Sequence, residues 1–358
     1  MIYSKELKIN GRAISQTEPT YFIADIAANH DGDLNRALDL ISRAKEAGAN
    51  CAKFQHFNSE TIVSPFGFSK KENMLSHQKN WEKSVTDVYD QYHTKKEWDQ
   101  ALVQQCKAVE IDFMTTPYNV DAIQRLDRFL PAYKIGSGDI TNYSILQAVA
   151  KKGKPVLLAA GASTFSDVRD AIEVLLVDNE DICLMQCNTN YTADLENFKH
   201  INLNVLKSFA TMFPGMPLGL SDHTPGHTTV IGAVALGARV IEKHFTDDCS
   251  RIGPDHKFAM DPVTWRNMVQ ATRELEFALG DGIKKIEHNE LETVLIQRRA
   301  CRLRRTKELG SILTVEDLEF LRPCEKDALS PMDFMKSKAR KLTKSILAGE
   351  SIRWGDLE

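Results

Sequence analysis

The sequence predicts an α/β fold, a (β/α)8 TIM barrel followed by a small β-rich domain. From Thr20 to about Gly282, short apolar runs that suit buried parallel strands alternate with amphipathic stretches that suit helices. Eight such strand–helix units in about 260 residues match a TIM barrel in number and length. The alternative is a doubly wound open sheet, which usually has a glycine-rich turn after its first strand. Residues 25–29 (Asp-Ile-Ala-Ala-Asn) form no such turn.

The first unit shows the pattern clearly. We expect its strand at residues 21–26, and in the helix that follows Leu34, Leu38 and Ile41 recur at the spacing of one helical face. Gly48 lies where a helix stop is expected. The remaining strands are expected at 51–57, 112–118, 132–137, 155–161, 181–188, 217–223 and 239–245, and the last helix at 262–279.

Residues 58–92 form a long polar insertion after the second predicted strand. A loop of this length in a compact domain is either a lid or disordered. Because it follows the carboxyl end of a strand, where barrels keep their chemistry, we expect a lid.

The pattern changes after Gly282. Residues 310–319 resemble residues 349–358, since in both a glycine is followed by apolar residues and then by Asp-Leu-Glu. Two copies are too few for a solenoid, so a small pseudo-symmetric domain is the simplest account. We therefore expect a barrel at 1–282, a linker at 283–298 and a C-terminal domain at 299–358.

Composition limits the function classes. The 358 residues are 42% hydrophobic and 26% charged, with a net charge of −4, which is ordinary for a soluble protein and does not suggest a nucleic-acid partner. An arginine cluster at 298–305 is expected to be a solvated face or a contact to a partner's acidic groups. Seven cysteines without a Cys-x-x-Cys pair indicate free thiols in a reducing compartment. Without a signal region or an apolar run near the ~20 residues that span a bilayer, we expect a cytoplasmic protein and no membrane partner.

Polar residues gather at the carboxyl ends of the predicted strands. In a barrel, polar residues at this face indicate catalysis. A single buried charge could be a structural ion pair, but charges converging from seven strands are costly unless they are used. The strand-end residues are Asp25, Asn29, His30, Lys53, Gln55, Thr115, Thr116, Lys134, Ser137, Asp139, Asn188, Asn190, Tyr191, Ser221, Asp222, His223, Glu242 and His244.

Two of these residues, His223 and His244, lie on adjacent predicted strands. Imidazoles so placed can share one divalent ion, with Glu242 or Asp222 as a further ligand or as support for the ligands. The alternative is a pair of core histidines bonded to neighbouring carboxylates.

A second set suits an anion. Lys53, Thr116, Lys134 and Ser137 supply positive charge and hydroxyl groups for a phosphate or a carboxylate. With a metal nearby, they describe a site for a small anionic substrate beside a Lewis acid.

Several motifs, in order along nearly the whole chain, resemble the N-acetylneuraminate (sialic acid) synthase family. They are residues 23–30 (Ile-Ala-Asp-Ile-Ala-Ala-Asn-His), 53–55, 116–117, 133–138, 219–224, 241–246 and 253–256. The C-terminal segment, with Phe320-Leu-Arg-Pro323, is similar to that family's antifreeze-like (SAF) domain.

This resemblance implies a transferase that condenses phosphoenolpyruvate with an open-chain N-acylhexosamine and releases phosphate. It implies that His223 and His244 hold Mn²⁺ or Mg²⁺, which polarises the sugar aldehyde. The further roles that it implies are phosphoenolpyruvate binding by Lys53, Thr116, Lys134 and Ser137, sugar contact by Gln55, Tyr191 and Asp255, and substrate binding by Asn188. Arg322 is expected to reach the partner's barrel in a domain-swapped homodimer and to touch the N-acyl group.

The reaction needs a carboxylate as well as a metal. Positive charge develops at the former enol carbon, and a nearby carboxylate can stabilise it or activate water. Asp25, Asp139 and Glu242 are the candidates.

The chain departs from the family pattern at several positions. Asp25 and Asp139 stand where the family usually has Glu. Residues 159–161 are Ala-Ala-Gly where the family has Ser-Thr-Gly, and residues 187–192 are Cys-Asn-Thr-Asn-Tyr-Thr where it has Cys-Thr-x-x-Tyr-Pro. The resemblance implies N-acetylmannosamine or a related diacetamido sugar as the acceptor, and the shortened carboxylates suggest a site adjusted for a sugar other than N-acetylmannosamine. Two other functions remain open, a metal-dependent pyruvate aldolase or lyase and a non-catalytic sugar-binding barrel.

Overall fold

The computed structural model describes residues 1–358 except 71, 73, 75–77 and 192, and except the side chain of Asn80. Its central feature is an eight-stranded parallel sheet with the order β5-β4-β3-β10-β9-β8-β7-β6. The strands are β1 Leu7–Ile9, β2 Arg12–Ile14, β3 Tyr21–Asp25, β4 Cys51–His56, β5 Asp112–Pro117, β6 Tyr133–Ile135, β7 Val156–Ala159, β8 Ile182–Cys187, β9 Leu218–Asp222, β10 Ala238–His244, β11 Ala300–Leu303 and β12 Leu318–Leu321.

Helices follow the barrel strands. They are α1 Leu34–Glu46, α2 Ser59–Ile62, α3 Val85–Tyr92, α4 Asp99–Ala108, α5 Val120–Leu126, α6 Tyr143–Ala150, α7 Phe165–Leu175, α8 Val205–Met212, α9 Thr228–Ala235, α10 Pro262–Leu279, α11 Leu291–Gln297 and α12 Pro331–Lys336. Every barrel strand overlaps its predicted range, so the predicted TIM barrel is confirmed. None of the helices in the described part of the chain has the length and apolar character needed to cross a membrane.

The sheet curves until its two edge strands meet. A Cβ added to Gly136, just after β6, would lie 3.4 Å from the Tyr118 hydroxyl and 3.6 Å from Thr116 Cγ2 at the end of β5. The nearly closed barrel therefore brings the carboxyl ends of all eight strands to one rim.

Strand alternation fills the barrel interior. Ile23, Cys51, Met114 and Leu157 point inward and are fully buried, whereas their neighbours along each strand pack against the helices. Gly219 is needed on β9, because a Cβ there would lie 2.7 Å from the Val240 carbonyl oxygen.

An N-terminal hairpin, β1–β2, belongs to the same interior core. Leu7, Ile9 and Ile14 join the buried cluster that contains Tyr21 and Val240. The sequence does not indicate this hairpin, because strands of three residues are too short to show an alternation of apolar and polar residues.

The chain divides into two compact units, Met1–Gly280 and Asp281–Glu358. In the second unit, β11 and β12 pair antiparallel. Its core consists of Cys301, Leu303, Leu313, Leu318, Leu329, Phe334, Leu342, Ile346 and Ile352. Three members of the arginine cluster donate hydrogen bonds to main-chain carbonyls of this unit and so stabilise its fold; they are Arg299, Arg302 and Arg304.

The sequence repeat appears as a structural one. Gly310 and Gly349 both have positive φ, 84° and 82°. Asp317 and Asp356 each accept a hydrogen bond from a main-chain N–H three residues earlier, and each closes a single helical turn. The second unit is therefore built from two similar halves.

Candidate active site

A cavity of about 320 Å³ opens at the carboxyl ends of the barrel strands. Its lining includes twelve of the residues predicted from sequence, namely Asp25, Lys53, Gln55, Thr116, Lys134, Ser137, Tyr191, Ser221, His223, Glu242, His244 and Asp255. The structure therefore brings these side chains together around one cavity, eleven from strand ends and Asp255 from the loop after β10, and their roles in the reaction stay predictions.

Strand alternation explains why these side chains meet. Counting two residues onward from an inward-facing core position reaches the site on several strands. Ile23 leads to Asp25, and Cys51 leads to Lys53. The site is thus the top layer of the barrel interior, in which charged groups replace apolar ones.

Two buried lysines and two carboxylates form the floor of the cavity. Lys53 Nζ lies 2.7 Å from Asp25 Oδ2 and donates to Thr116 Oγ1 at 3.1 Å. Lys134 Nζ lies 3.4 Å from Glu242 Oε1, and Lys53 Nζ lies 3.9 Å from Glu242 Oε2. Each lysine is thus paired, which is the condition for keeping such charges in a low-dielectric interior.

The two carboxylates differ in how fully they are bonded. Asp25 accepts hydrogen bonds from Lys53, from Gln55 Nε2 at 3.0 Å and from the Ala27 N–H at 3.1 Å. Burial alone would raise the pKa of Asp25, but the charge of Lys53 and the hydrogen bonds from Lys53 and Gln55 together lower it. Asp25 is therefore held as an anion and is a poor base.

Glu242 keeps one free acceptor. Ser221 donates to Oε1 at 3.0 Å, whereas Oε2 is buried and has no hydrogen-bond partner among the described residues. A carboxylate oxygen without a hydrogen-bond donor, on a residue that lines the cavity, can accept a proton from a bound molecule.

His223 and His244 lie side by side above this floor, with ring centroids 5.3 Å apart. Tyr191 and Phe258 enclose them, at 4.5 Å from His223 and 4.9 Å from His244 respectively. The Asn188 carbonyl lies 3.0 Å from His223 Nδ1 and fixes that ring.

The donor set of the histidine pair suits a divalent cation, although the two rings differ in protonation. Burial lowers the pKa of His244 to about 3, so its ring is neutral, as a metal ligand must be. Burial would lower the pKa of His223 as well, but the hydrogen bond and charge of Cys187 raise it, so a cation would have to displace a proton from this ring. Its Nδ1 is buried without a hydrogen-bond partner among the described residues, and Oδ2 atoms of Asp25 and Asp255 lie 3.7 Å from its two ring nitrogens. In the described part of the chain, no group of three or more His, Cys, Asp or Glu side chains surrounds a common metal position. Water and substrate would therefore have to complete the coordination.

Asp222 lies outside this arrangement. Its carboxylate bonds with Lys243, Thr224 and Thr229, and all of these groups are buried. The expectation that Asp222 might be a further ligand has no support in this geometry.

Three other residues that were expected to act in the reaction do not line the cavity. Asp139 ends a short helical turn and accepts from Asn142 Nδ2 at 3.3 Å. The Asn188 side chain donates to the His200 carbonyl at 3.2 Å, so its contribution to the site is its main chain. Arg322 belongs to the second unit, where its Nε donates to the Gln297 carbonyl.

The insertion after β4 supplies a wall that the residue-by-residue predictions missed. Its cavity-lining members, with neighbouring Phe57 and Tyr118, are Ile62, Gln78, Trp81, Val88, Tyr89 and Tyr92. The expected lid therefore contains helices α2 and α3, although its residues 71, 73 and 75–77 lie outside the described residues. The sequence feature that could have indicated this wall is the presence of Trp81, Tyr89 and Tyr92 in an otherwise polar segment. Thr192, which ends the altered 187–192 motif, also lies outside the described residues.

A polar clamp centred on Asp31 ties the loop after β3 to the loop after β10. Asp31 Oδ1 lies 2.9 Å from His256 Nε2, and Oδ2 accepts from Arg251 Nη2 at 2.8 Å. His256 is fully buried, and its Nδ1 lies 2.8 Å from Thr246 Oγ1. The clamp holds both ends of the 246–256 loop, which carries Asp255.

Gly253 allows this loop to fold tightly. A Cβ at that position would lie 2.6 Å from His256 Cδ2. Asp255 itself accepts from the Ala28 N–H at 3.1 Å, and burial raises its pKa to about 6.

Comparison with known proteins places this geometry in a family context. A family model described as the NeuB family matches residues 40–284 of the chain. The chain is 34% identical to the N,N'-diacetyllegionaminic acid synthase of Legionella pneumophila over 98% of both chains. It is 33% identical to the human N-acetylneuraminate-9-phosphate synthase over 77% of this chain and 76% of that protein.

A solved structure agrees with these sequence matches. The N-acetylneuraminic acid synthetase of Leptospira borgpetersenii, in complex with citrate, aligns with a TM-score of 0.72 at 28% identity. The alignment covers 82% of this chain and 96% of that chain.

Proposed function

The chain belongs to the NeuB family of phosphoenolpyruvate-condensing nonulosonate synthases, and we propose that it joins phosphoenolpyruvate to the open-chain form of an N-acylated amino sugar. The sugar is N-acetylmannosamine or a related diacetamido sugar, and phosphate is released. The observation that carries this proposal is that one cavity is lined both by two lysines paired with carboxylates, Lys53 and Lys134, and by two adjacent histidines, His223 and His244.

Phosphoenolpyruvate would bind at the floor. Its carboxylate and phosphate can accept hydrogen bonds from Lys53, Lys134, Thr116 and Ser137, whose side chains all line the cavity. Each lysine has three donors, so it can bind an anion and keep its carboxylate partner. Asp25 would then act by holding Lys53 charged and in place.

The aldehyde of the sugar would lie beside the histidine pair. A Mn²⁺ or Mg²⁺ held by His223 and His244 would make the aldehyde carbon more electrophilic. The contact between His223 and the Asn188 carbonyl fixes the ring for that role.

Glu242 is the carboxylate best placed for the second half of the reaction. C3 of phosphoenolpyruvate bonds to the aldehyde carbon while the C=O π electrons move to the aldehyde oxygen, and positive charge develops at C2. Water adds at C2 and gives one proton to Glu242 Oε2, which returns it to the aldehyde oxygen to complete the new hydroxyl group. The C2–O bond to phosphate then breaks, the phosphate takes the remaining hydroxyl proton, and the 2-keto acid forms. We assign Glu242 rather than Asp25 because Glu242 Oε2, unlike the Asp25 oxygens, has no hydrogen-bond partner among the described residues.

The sugar's remaining groups would meet Gln55, Tyr191 and Asp255, which line the same cavity. For Arg322 we propose a contact with the N-acyl group in the partner's barrel of a domain-swapped homodimer, as the sequence resemblance implies.

Phosphate release tests the proposal. The purified protein with Mn²⁺ should release phosphate from phosphoenolpyruvate only when an N-acylhexosamine is present, and chelation of the metal should stop the release. Pyruvate should not replace phosphoenolpyruvate. Consumption of pyruvate, or the absence of phosphate release with a panel of N-acyl sugars, would contradict the proposed reaction.

A further inference from the structure

A buried ion pair lies behind the two histidines, on the helix-facing side of the barrel sheet. Asp222 ends β9 immediately before His223. Lys243 precedes His244 on β10 and pairs in register with Asp222. Because side chains alternate along a strand, the histidines line the cavity whereas Asp222 and Lys243 face the layer of helices.

The pair joins the two chain segments that carry the histidines. Asp222 Oδ2 accepts hydrogen bonds from Lys243 Nζ, from Thr224 Oγ1 at 2.8 Å and from Thr229 Oγ1 at 2.7 Å. Lys243 Nζ also donates to the Thr224 carbonyl at 2.6 Å, so β10 is bonded to the main chain that follows β9. Thr229 extends the network to the first turn of α9. We call Asp222, Thr224, Thr229 and Lys243 the strand clasp.

Stability is a weak reason for a pair of this kind. The Asp222 and Lys243 side chains are 1% and 0% exposed, so both ions are removed from water. The desolvation of two such ions can cancel their attraction, and apolar residues of similar volume are often at least as stabilising. A role in fixing the geometry of the surrounding groups is the alternative.

The proposed metal site depends on such geometry. The rings of His223 and His244 have centroids 5.3 Å apart, and they bind one ion well only if both are held towards the same position. On the cavity side, Ser221 donates to Glu242 and joins the same two strands. The strand clasp joins them on the opposite side.

From these contacts we propose that the strand clasp positions the two histidine rings for one divalent cation. Asp222 and Lys243 are positioning residues that act through His223 and His244. This inference rests on the proposed synthase function and adds the residues that support its metal site. Loss of the clasp should weaken metal binding and leave the binding of phosphoenolpyruvate at the lysine floor intact.

The first test measures Mn²⁺ binding to the full chain by the electron paramagnetic resonance signal of free Mn²⁺. Lys243→Met should raise the Kd for Mn²⁺ by about 10-fold or more. The Kd for phosphoenolpyruvate, measured by calorimetry without metal, should change by less than about two-fold. An unchanged Kd for Mn²⁺ in a variant shown to be folded by its thermal unfolding would overturn the proposal. Equal losses for both ligands would also overturn it, because they would indicate a general loosening of the barrel.

The second test makes a smaller change to the clasp. Thr229→Val removes one donor to Asp222 at similar volume and should raise the Kd for Mn²⁺ by about 3-fold or more. Thr229→Ser keeps the hydroxyl group and should retain the wild-type Kd. Thr228→Val, at the exposed preceding position of α9, is the matched control and should leave the Kd unchanged. Equal effects of the two valine substitutions, or the same loss in Thr229→Ser, would contradict the role of the hydrogen bond.

The two proposals can fail separately. If Mn²⁺ binding changes as expected but no N-acyl sugar supports phosphate release, the synthase function is wrong and the role of the strand clasp stands. If the wild-type protein does not bind Mn²⁺, the metal site and the role of the clasp are both wrong.

Discussion

At the residue scale, two carboxylates of the same layer have different chemical capacities. Both oxygens of Asp25 accept hydrogen bonds, from Lys53, Gln55 and a main-chain N–H, whereas Glu242 Oε2 is buried without a hydrogen-bond partner among the described residues. The sequence placed both at strand ends because side chains alternate with a period of two. It could not separate their roles, because the Ala27 N–H depends on a backbone bend after β3 that no periodicity predicts.

Substituting each carboxylate should separate base from positioning group. Glu242→Gln should lower kcat by ~10²-fold or more, since Gln still accepts from Ser221 but cannot take up a proton, and it should also raise the KM for phosphoenolpyruvate because Lys134 loses its charged partner. Asp25→Asn should raise the KM for phosphoenolpyruvate with little loss of kcat, because Lys53 loses its charged partner but the base is retained. Asp139→Asn is the control and should change neither constant by more than a few fold. Equal losses of kcat in all three variants would rule out this assignment.

Two buried histidines predict acid sensitivity. Burial lowers the pKa of His56 to about 3 and that of His30 to about 4, against about 6.5 in an unfolded chain. Below pH 6.5 these histidines bind protons in the unfolded state but not in the folded state. Each histidine should therefore lower the free energy of unfolding as the pH falls towards 4. The slope is about 1.4 kcal/mol per pH unit for each group.

Urea unfolding of wild type and His56→Gln between pH 7.5 and 5 measures this contribution. The free energy of unfolding of the variant should fall less steeply with decreasing pH than that of wild type. Parallel curves would show that His56 does not stay neutral in the fold.

At the element scale, the loops after β3 and β10 form the site together. The Asp31 clamp joins them, and its aspartate has φ of 54°, a conformation that Asp and Asn tolerate better than most residues. Arg36 adds a bond to Asp247 and a hydrogen bond to the Asn29 carbonyl. The contacts of Asp31 and Arg36 with the loop after β10 join positions more than 200 residues apart, which is why the sequence indicated the two motifs but not their connection.

Removal of the clamp should affect sugar binding selectively. Asp31→Ala should raise the sugar KM by about 10-fold, because Asp255 loses its fixed position, and leave the KM for phosphoenolpyruvate nearly unchanged. Asp31→Asn should rescue most of the effect, since the amide oxygen still accepts from Arg251. Asp39→Ala, which removes an exposed helix ion pair, serves as the control. If both substrates are affected alike, the clamp is only structural.

The insertion after β4 shows the same limit of prediction. Its length and its place after a strand indicated a lid, but the helices α2 and α3 have too few residues for a clear helical period. The cavity wall that Trp81, Tyr89 and Tyr92 of this insertion form is therefore a property of the folded chain, which the sequence shows only as scattered aromatic residues.

At the scale of the whole molecule, the barrel was predictable and the N-terminal hairpin was not. Eight repeated units give a statistical signal, whereas β1 and β2 have three residues each. In the second unit, the bridge between Lys307 and Ile346 joins positions with the same separation as Gly310 and Gly349. The repeat seen in the sequence thus corresponds to two halves that pair with each other.

The proposed domain swap can be tested by mixing two inactive variants. Arg322→Ala should raise the sugar KM, and Glu242→Gln should lower kcat. In a mixed dimer, one barrel would have Glu242 and receive Arg322 from the other chain. Reassociation of equal amounts should therefore restore about a quarter of the wild-type sites at subsaturating sugar. Simple averaging of the two variants would show that Arg322 does not act in the partner's barrel.

The central claim is that this cavity forms a carbon–carbon bond between phosphoenolpyruvate and a sugar aldehyde. The most direct measurement is the ¹³C NMR spectrum of the product made from phosphoenolpyruvate labelled at C3. The account predicts that the label becomes a methylene carbon bonded to the former aldehyde carbon, with one phosphate released for each product molecule. Label found only in the methyl group of pyruvate would mean that phosphoenolpyruvate is merely hydrolysed, and would contradict the account.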